Sequence, residues 1–146
     1  MSQRKLRVGI IGCGVGASHG FAYSRVADFE LVAICDIQAS AFPRFYERSG
    51  IAPGTVNEYT DHREMLAKEN LDVVSVATPD DYHTEAVCDA SDAGVKAILC
   101  EKPLASSLAD ADRIIATVER NGTKMSVDHT RSWYPTFQAT RNEIRE

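Results

Sequence analysis

The sequence is poor in the features that announce several functional classes. No apolar run approaches the ~20 residues needed to cross a bilayer. The basic opening, MSQRKLRVGII, leads into an apolar run that Gly breaks too early for a signal peptide. A membrane span and secretion are thereby disfavoured, and the chain reads as cytoplasmic. There is no basic cluster beyond RKLR and the net charge is −5, which argues against nucleic acid as the main partner. The four cysteines (Cys13, Cys35, Cys88 and Cys100) form no CxxC pair and have no His at ligand spacing, so reduced structural thiols are expected rather than a disulfide frame. His19, His62, His83 and His129 are too scattered for a metal constellation to be read, and no metal is expected. Internal repeats and low-complexity segments are also missing.

What is present is a regular alternation. A chain of 146 residues suits one domain that buries roughly 68–70% of its unfolded surface. Strand-length apolar runs at 6–12, 30–36, 55–59, 71–78, 95–101 and 123–129 are separated by amphipathic helix-length segments. Helices are expected from Gly16 to about Ala27, up to Gly50, over 61–70, up to Gly94 and up to Gly122. Pro43 implies that the first turn of the second helix begins near Ala41, or that the helix kinks there. Asp61 and Ser106 or Ser107 are candidate N-caps. The nearly unbroken β-branched content of LDVVSVAT suggests a strand buried on both faces. Strict β–α alternation with short connections implies parallel strands and right-handed crossovers. The fold class is therefore α/β, a doubly wound parallel (Rossmann) sheet in the order 3-2-1-4-5-6.

The stretch VGIIGCGVGASHG carries five glycines behind the first strand. In a dinucleotide-binding turn, one glycine permits the sharp strand-to-loop turn and a second admits a pyrophosphate to the backbone. A third small residue lets the helix pack close to the strand. Gly12 and Gly14 fill the first two places, Ala17 the third, and Gly16 is an additional glycine. Phosphates would then meet the N–H groups and positive dipole end of the following helix. GCGVG also resembles the GxGxG turn of S-adenosylmethionine-dependent methyltransferases, although Ile10 stands where those carry an acidic residue. A ligand-free glycine turn is the remaining alternative.

Asp36 ends the second strand, where a carboxylate can accept both hydroxyls of an adenosine ribose and repels a 2′-phosphate. This favours NAD over NADP; a turn or cap role is the plain alternative. ATPDDYH and CEKPLA end the fourth and fifth strands, so both point into the crevice at the carboxyl edge of the sheet. A partly desolvated lysine there, near a nicotinamide, could hydrogen-bond a substrate oxygen.

GIIGCGVGASH, AICD, ATPDDYH and EKPLA, in this order, resemble the nucleotide-binding half of the glucose-fructose oxidoreductase/inositol dehydrogenase (Gfo/Idh/MocA) family. The resemblance implies an NAD(P)-dependent oxidoreductase acting on a hydroxyl of a sugar, cyclitol or related polyol. It makes Lys102 the candidate catalytic residue, in a loop shaped by Glu101 and Pro103. Thr78, Pro79 and Asp80 would line the nicotinamide side; the family often has Asn at the position of Asp80. His83 matches a family histidine, with packing on the loop as its plainer role. The full candidate cofactor set is Gly12, Gly14, Val15, Gly16, Ala17, Asp36, Ile37, Thr78, Pro79, Asp80, His83, Glu101, Lys102 and Pro103.

Residues 1–129 are expected to form the NAD(P)-binding domain and 130–146 a crossover into a second, mostly β substrate domain. DHTRSWYP resembles the family's crossover, with Arg131 and Pro135 leading on. The resemblance implies a catalytic Asp/His pair in that second domain; the adjacent Asp128 and His129 come too early to be it. The terminal helix pattern reaches Glu146 without a cap, so the chain looks cut. The apolar Trp133, Tyr134 and Phe137 are expected to be mobile or covered by a second copy, which would make a homo-oligomer. A stand-alone NAD-sensing module is the alternative to an enzyme half.

Overall fold

The computed structural model describes residues 4–145. Met1–Gln3 and Glu146, the outer limits of the two expected segments, lie outside the described residues. Six strands form one parallel sheet: β1 (Leu6–Ile11), β2 (Phe29–Cys35), β3 (Asn57–Tyr59), β4 (Val73–Val76), β5 (Ala97–Glu101) and β6 (Lys124–Asp128). Their order is β3-β2-β1-β4-β5-β6, the doubly wound arrangement expected. The helices are α1 (Gly16–Tyr23), α2 (Phe42–Ser49), α3 (His62–Glu69), α4 (His83–Asp92), α5 (Leu108–Asn121) and α6 (Pro135–Arg145). None of them is long and apolar enough to cross a membrane.

The period-2 alternation of strand side chains divides the core into two layers. Ile10 and Ile34 face one way and pack with Ala17, Phe42 and Phe45 of α1 and α2. Ile11, Ala33, Cys35, Val74 and Val76 face the other, against Met65, Val87 and Ile114 of α3, α4 and α5. All four residues of β4 are buried, as its β-branched run implied. Ser75 faces the first layer, where its hydroxyl meets the Tyr23 hydroxyl at 3.0 Å.

The punctuation read from sequence acts as expected at most helix ends. Asp61 accepts the Arg63 N–H, and Ser107 accepts that of Asp110. Gly50 and Gly122 close α2 and α5 in the left-handed conformation. Pro43 lies in the first turn of α2, preceded by a single 3-10 turn at Ala39–Ala41. α1 ends at Tyr23 rather than near Ala27. Beyond it, Arg25 and Val26 donate to carbonyls three residues back, and these tight turns bring the chain round to β2. Past β6, Trp133 in the 3-10 turn Thr130–Trp133 and Ile144 in α6 are about four-fifths exposed (79% and 80%).

The amino-terminal edge of the sheet is held by Asp72. Its carboxylate accepts the Arg7 N–H at 3.0 Å, Lys96 Nζ at 2.8 Å and Arg4 Nη2 at 2.9 Å. Lys96, the Arg7 amide and Arg4 together hold this carboxyl well below the usual carboxylate range, against the opposing effect of burial. A lowered value contributes stability above the unfolded value of about 3.9, and that contribution fades as pH falls below it. Asp72→Asn should therefore cost about 1–3 kcal/mol at neutral pH. Chemical denaturation at pH 7 and pH 3 should show the gap between wild type and variant narrowing in acid.

Candidate functional site

A cleft of ≈ 630 Å³ opens at the carboxyl edge of the sheet, between the ends of β1, β2, β3 and β4. That volume is within the range of small-molecule and cofactor sites. Of the residues singled out from sequence, Gly12, Gly14, Asp36, Ile37, Thr78 and Pro79 line it.

The glycines divide the work differently from the simple alignment. Gly12 has φ +96°, and a Cβ there would lie 2.5 Å from the Ala77 carbonyl oxygen. Gly14 is exposed and a Cβ on it would meet nothing within 4 Å, so its bare backbone fronts open space at the cleft. Gly16 is not a spare glycine: a Cβ there would come within 2.7 Å of Ile10 Cγ2, so it makes the close helix–strand approach. Ala17, assigned that job from sequence, is fully buried beside it in the same core layer. Val15 is the N-cap residue of α1 and is half exposed. No side chain caps α1 and no acidic residue occupies its first turn. The free N–H groups at that end suit an anion.

Asp36 sits at the tip of β2 and joins two loops. One carboxylate oxygen accepts the Cys13 N–H and the other the Gln38 N–H, both at 2.9 Å. Each oxygen keeps a lone pair for a further donor. From α2, Arg48 donates to the Gly14 carbonyl at 2.8 Å and steadies the turn from outside. Thr78 Oγ1 is buried, lines the cleft as part of its residue, and has no hydrogen-bond partner.

The ends of β4 and β5 are tied by His83, which is 1% exposed at the start of α4. Its Nδ1 is 2.8 Å from the Pro103 carbonyl and its Nε2 is 2.9 Å from the Thr78 carbonyl. Both ring nitrogens face backbone, so His83 holds the two loops together. The Lys102–Pro103 peptide is cis. Glu101 Oε2 accepts the Lys102 N–H at 3.2 Å. Lys102 itself is exposed and does not line the cleft, so the described residues do not supply the desolvation expected for it. Asp80 and Pro103 also lie outside the cleft lining.

Sequence reasoning missed the outer wall. Thr60, Asp61, His62 and Arg63 follow β3, and Tyr82 and Glu85 come from the segment after β4. The 3-2-1-4 order contained the signal, because it puts the loop after β3 beside the tip of β2. All four cysteines are free and buried. Burial is the main cause that pushes the thiols of Cys13, Cys35 and Cys100 up to about 12, which makes them inert packing groups.

A parallel sheet with a bare-backbone turn, an uncapped helix start and a carboxylate at the neighbouring strand tip defines a dinucleotide-binding domain. Residues 6–129 match the family model described as "Oxidoreductase family, NAD-binding Rossmann fold". The chain belongs to this family, Gfo/Idh/MocA. It is 35% identical over 144 residues to D-apiose dehydrogenase of Paraburkholderia graminis, covering 98% of this chain and 37% of that protein. It is 30% identical over 122 residues to inositol 2-dehydrogenase of Salmonella typhimurium, covering 82% of this chain and 35% of the relative. The WlbA dehydrogenase of Bordetella pertussis, solved in complex with NADH and UDP-GlcNAcA, superposes with a TM-score of 0.86 at 28% identity, over 97% of this chain and 42% of that one. The chain thus spans about two fifths of the length of these relatives.

His83→Ala leaves a cavity and removes the ring from between the Pro103 and Thr78 carbonyls, so it should destabilise the fold by about 2–4 kcal/mol. Equilibrium urea unfolding checks this.

Proposed function

We propose that this chain is the cofactor-binding part of an NAD-dependent dehydrogenase acting on a secondary hydroxyl of a sugar, cyclitol or related polyol. The observation that carries the reading is the joint placement of Gly12, Gly14, Asp36 and Thr78 around one cleft, ahead of an uncapped helix. The residues fit the dinucleotide. Gly14 leaves room at the turn, the orphaned Thr78 hydroxyl awaits a partner, and Asp36 retains acceptor capacity for a ribose diol. The relatives' names support the substrate class.

On this reading the α1 N–H groups and the Gly14 backbone bind the pyrophosphate, and Asp36 orients the adenosine ribose. Asp36 also selects against a 2′-phosphate by charge repulsion. The bound nicotinamide supplies a two-electron acceptor for the hydrogen leaving the alcohol carbon. Lys102 Nζ holds the substrate oxygen and takes or gives the hydroxyl proton. Glu101 and Pro103 set the lysine's backbone, and His83 keeps their loop against Thr78. Residues 130–146 lead toward a second domain that contacts substrate. The exposed Trp133, Tyr134, Phe137 and Ile144 support that part of the proposal.

Calorimetric or fluorescence titration with NADH tests the core of the reading; no saturable binding at millimolar cofactor would overturn it. Asp36→Arg should weaken NADH by at least about 10-fold and shift preference toward NADPH. An unchanged preference would remove Asp36 from the ribose. Gly14→Val should leave the unfolding midpoint close to wild type, since a Cβ there meets open space. It should still impair NADH binding, because the added side chain occupies the pyrophosphate's approach.

A further inference from the structure

Folding gathers three ligand-type side chains that are far apart in sequence. His19 projects from α1, Glu101 is the last residue of β5, and Asp128 is the last of β6. Glu101 and Asp128 are register partners on adjacent parallel strands. His19 Nε2 lies 3.2 Å from Glu101 Oε1 and 3.6 Å from Asp128 Oδ2. One donor atom from each residue lies within 4.8 Å of the other two. Among the described residues neither carboxylate is paired with a Lys or Arg, so two like charges converge on one imidazole that is 7% exposed. None of the three lines the glycine-turn cleft.

Two arrangements would bring these three groups together. An imidazolium bridging two carboxylates would draw them to about 2.7–2.9 Å, the length of a charge-assisted hydrogen bond. His19 Nε2 and Glu101 Oε1, at 3.2 Å, are within hydrogen-bond range, whereas Asp128 Oδ2, at 3.6 Å, is outside it. A tetrahedral ion with ligand bonds of about 2.0–2.2 Å separates its ligand atoms by about 3.3–3.6 Å. The observed 3.6 Å falls at that spacing and 3.2 Å just below it. Each carboxylate is also held from behind, as ligating carboxylates are. Glu101 Oε2 accepts the Lys102 N–H, and Asp128 Oδ1 accepts the Thr130 hydroxyl at 3.0 Å. His19 Nδ1 is buried and has no hydrogen-bond partner among the described residues, so the ring's polar contacts are those of Nε2 with the two carboxylates.

We propose that His19, Glu101 and Asp128 form a binding site for a divalent transition-metal ion of the zinc class, with a fourth position taken by water. One imidazole and two carboxylates suit zinc, whereas magnesium and calcium prefer six or more oxygens. Side chains of Glu101 and Asp128 that are 13% and 20% exposed leave a path from solvent. The ion braces α1, β5, β6 and the base of the Glu-Lys-Pro loop. No step of the proposed redox chemistry passes through it.

The test uses the chain after chelator treatment, titrated calorimetrically with Zn²⁺ and Mg²⁺ and spectroscopically with Co²⁺. One Zn²⁺ should bind per chain, Mg²⁺ should not compete, and Co²⁺ should develop the strong visible bands of four-coordinate geometry. His19→Ala and Asp128→Asn should each weaken Zn²⁺ by at least about 10-fold. His62→Ala, whose ring pairs with Asp89 elsewhere, should leave it unchanged. Circular dichroism monitors folding; should His19→Ala fail to fold, Asp128→Asn at the strand end carries the comparison. Zn²⁺ should raise the melting midpoint of wild type and not of Asp128→Asn. Absence of saturable Zn²⁺ binding below millimolar, or equal affinity in wild type and Asp128→Asn, overturns the proposal. NADH titration of wild type and Asp128→Asn reports on the cofactor reading separately, because Asp128 does not line the cleft.

Discussion

Backbone meets backbone at the carboxyl edge of this sheet, and that contact organises everything around it. The Gly12 N–H donates to the Cys35 carbonyl at 2.8 Å, and the Ala77 N–H donates to the Ile11 carbonyl at 2.7 Å. The tips of β1, β2 and β4 are therefore drawn to one point. A Cβ at residue 12 would collide with Ala77 at 2.5 Å, and the φ of +96° is itself costly for other residues. The turn after β1 therefore meets the end of β4 with no side chain at residue 12 between them. The Gly12 and Ala77 N–H groups are used within the sheet, so the donors left for a phosphate are the uncapped N–H groups at the start of α1.

The two edges of the sheet do different work. At the amino-terminal edge, Asp72 collects three donors and the adjoining Lys96 and Ala97 N–H groups bond to its carbonyl. Those contacts are saturated and serve stability. At the carboxyl edge, Thr78 Oγ1 and His19 Nδ1 are buried without partners, the start of α1 is uncapped, and Glu101 and Asp128 face each other. Native proteins seldom leave buried polar groups unsatisfied, so their concentration at one edge marks it as the working face. His83 is the exception there. Its ring ties two loops and turns a candidate ligand contact into a structural clasp.

Much of this was legible in the sequence because the signals are local. Unbroken β-branched residues declared β4, Gly50 and Gly122 declared helix ends, and the glycine turn followed by Asp36 declared the cleft. Where the reading slipped, packing between distant residues was the cause. Gly16, an additional glycine by sequence, is pressed by Ile10, and of the two roles read for His83 its contacts with the Pro103 and Thr78 carbonyls favour packing on the loop. The outer wall from Thr60 to Arg63 carries no motif of its own; it belongs to the cleft only because β3 lies beside β2.

Periodicity, turn residues and chain order were enough, by themselves, to determine the Rossmann sheet and the edge at which a dinucleotide site must lie, since these depend on interactions among near neighbours. Tertiary structure alone decided which side chains face that site and which are consumed in holding it. It also decided that His19, Glu101 and Asp128 should meet. Residues 82 and 109 positions apart along the chain come within 3.2 and 3.6 Å only when α1 folds over the ends of β5 and β6.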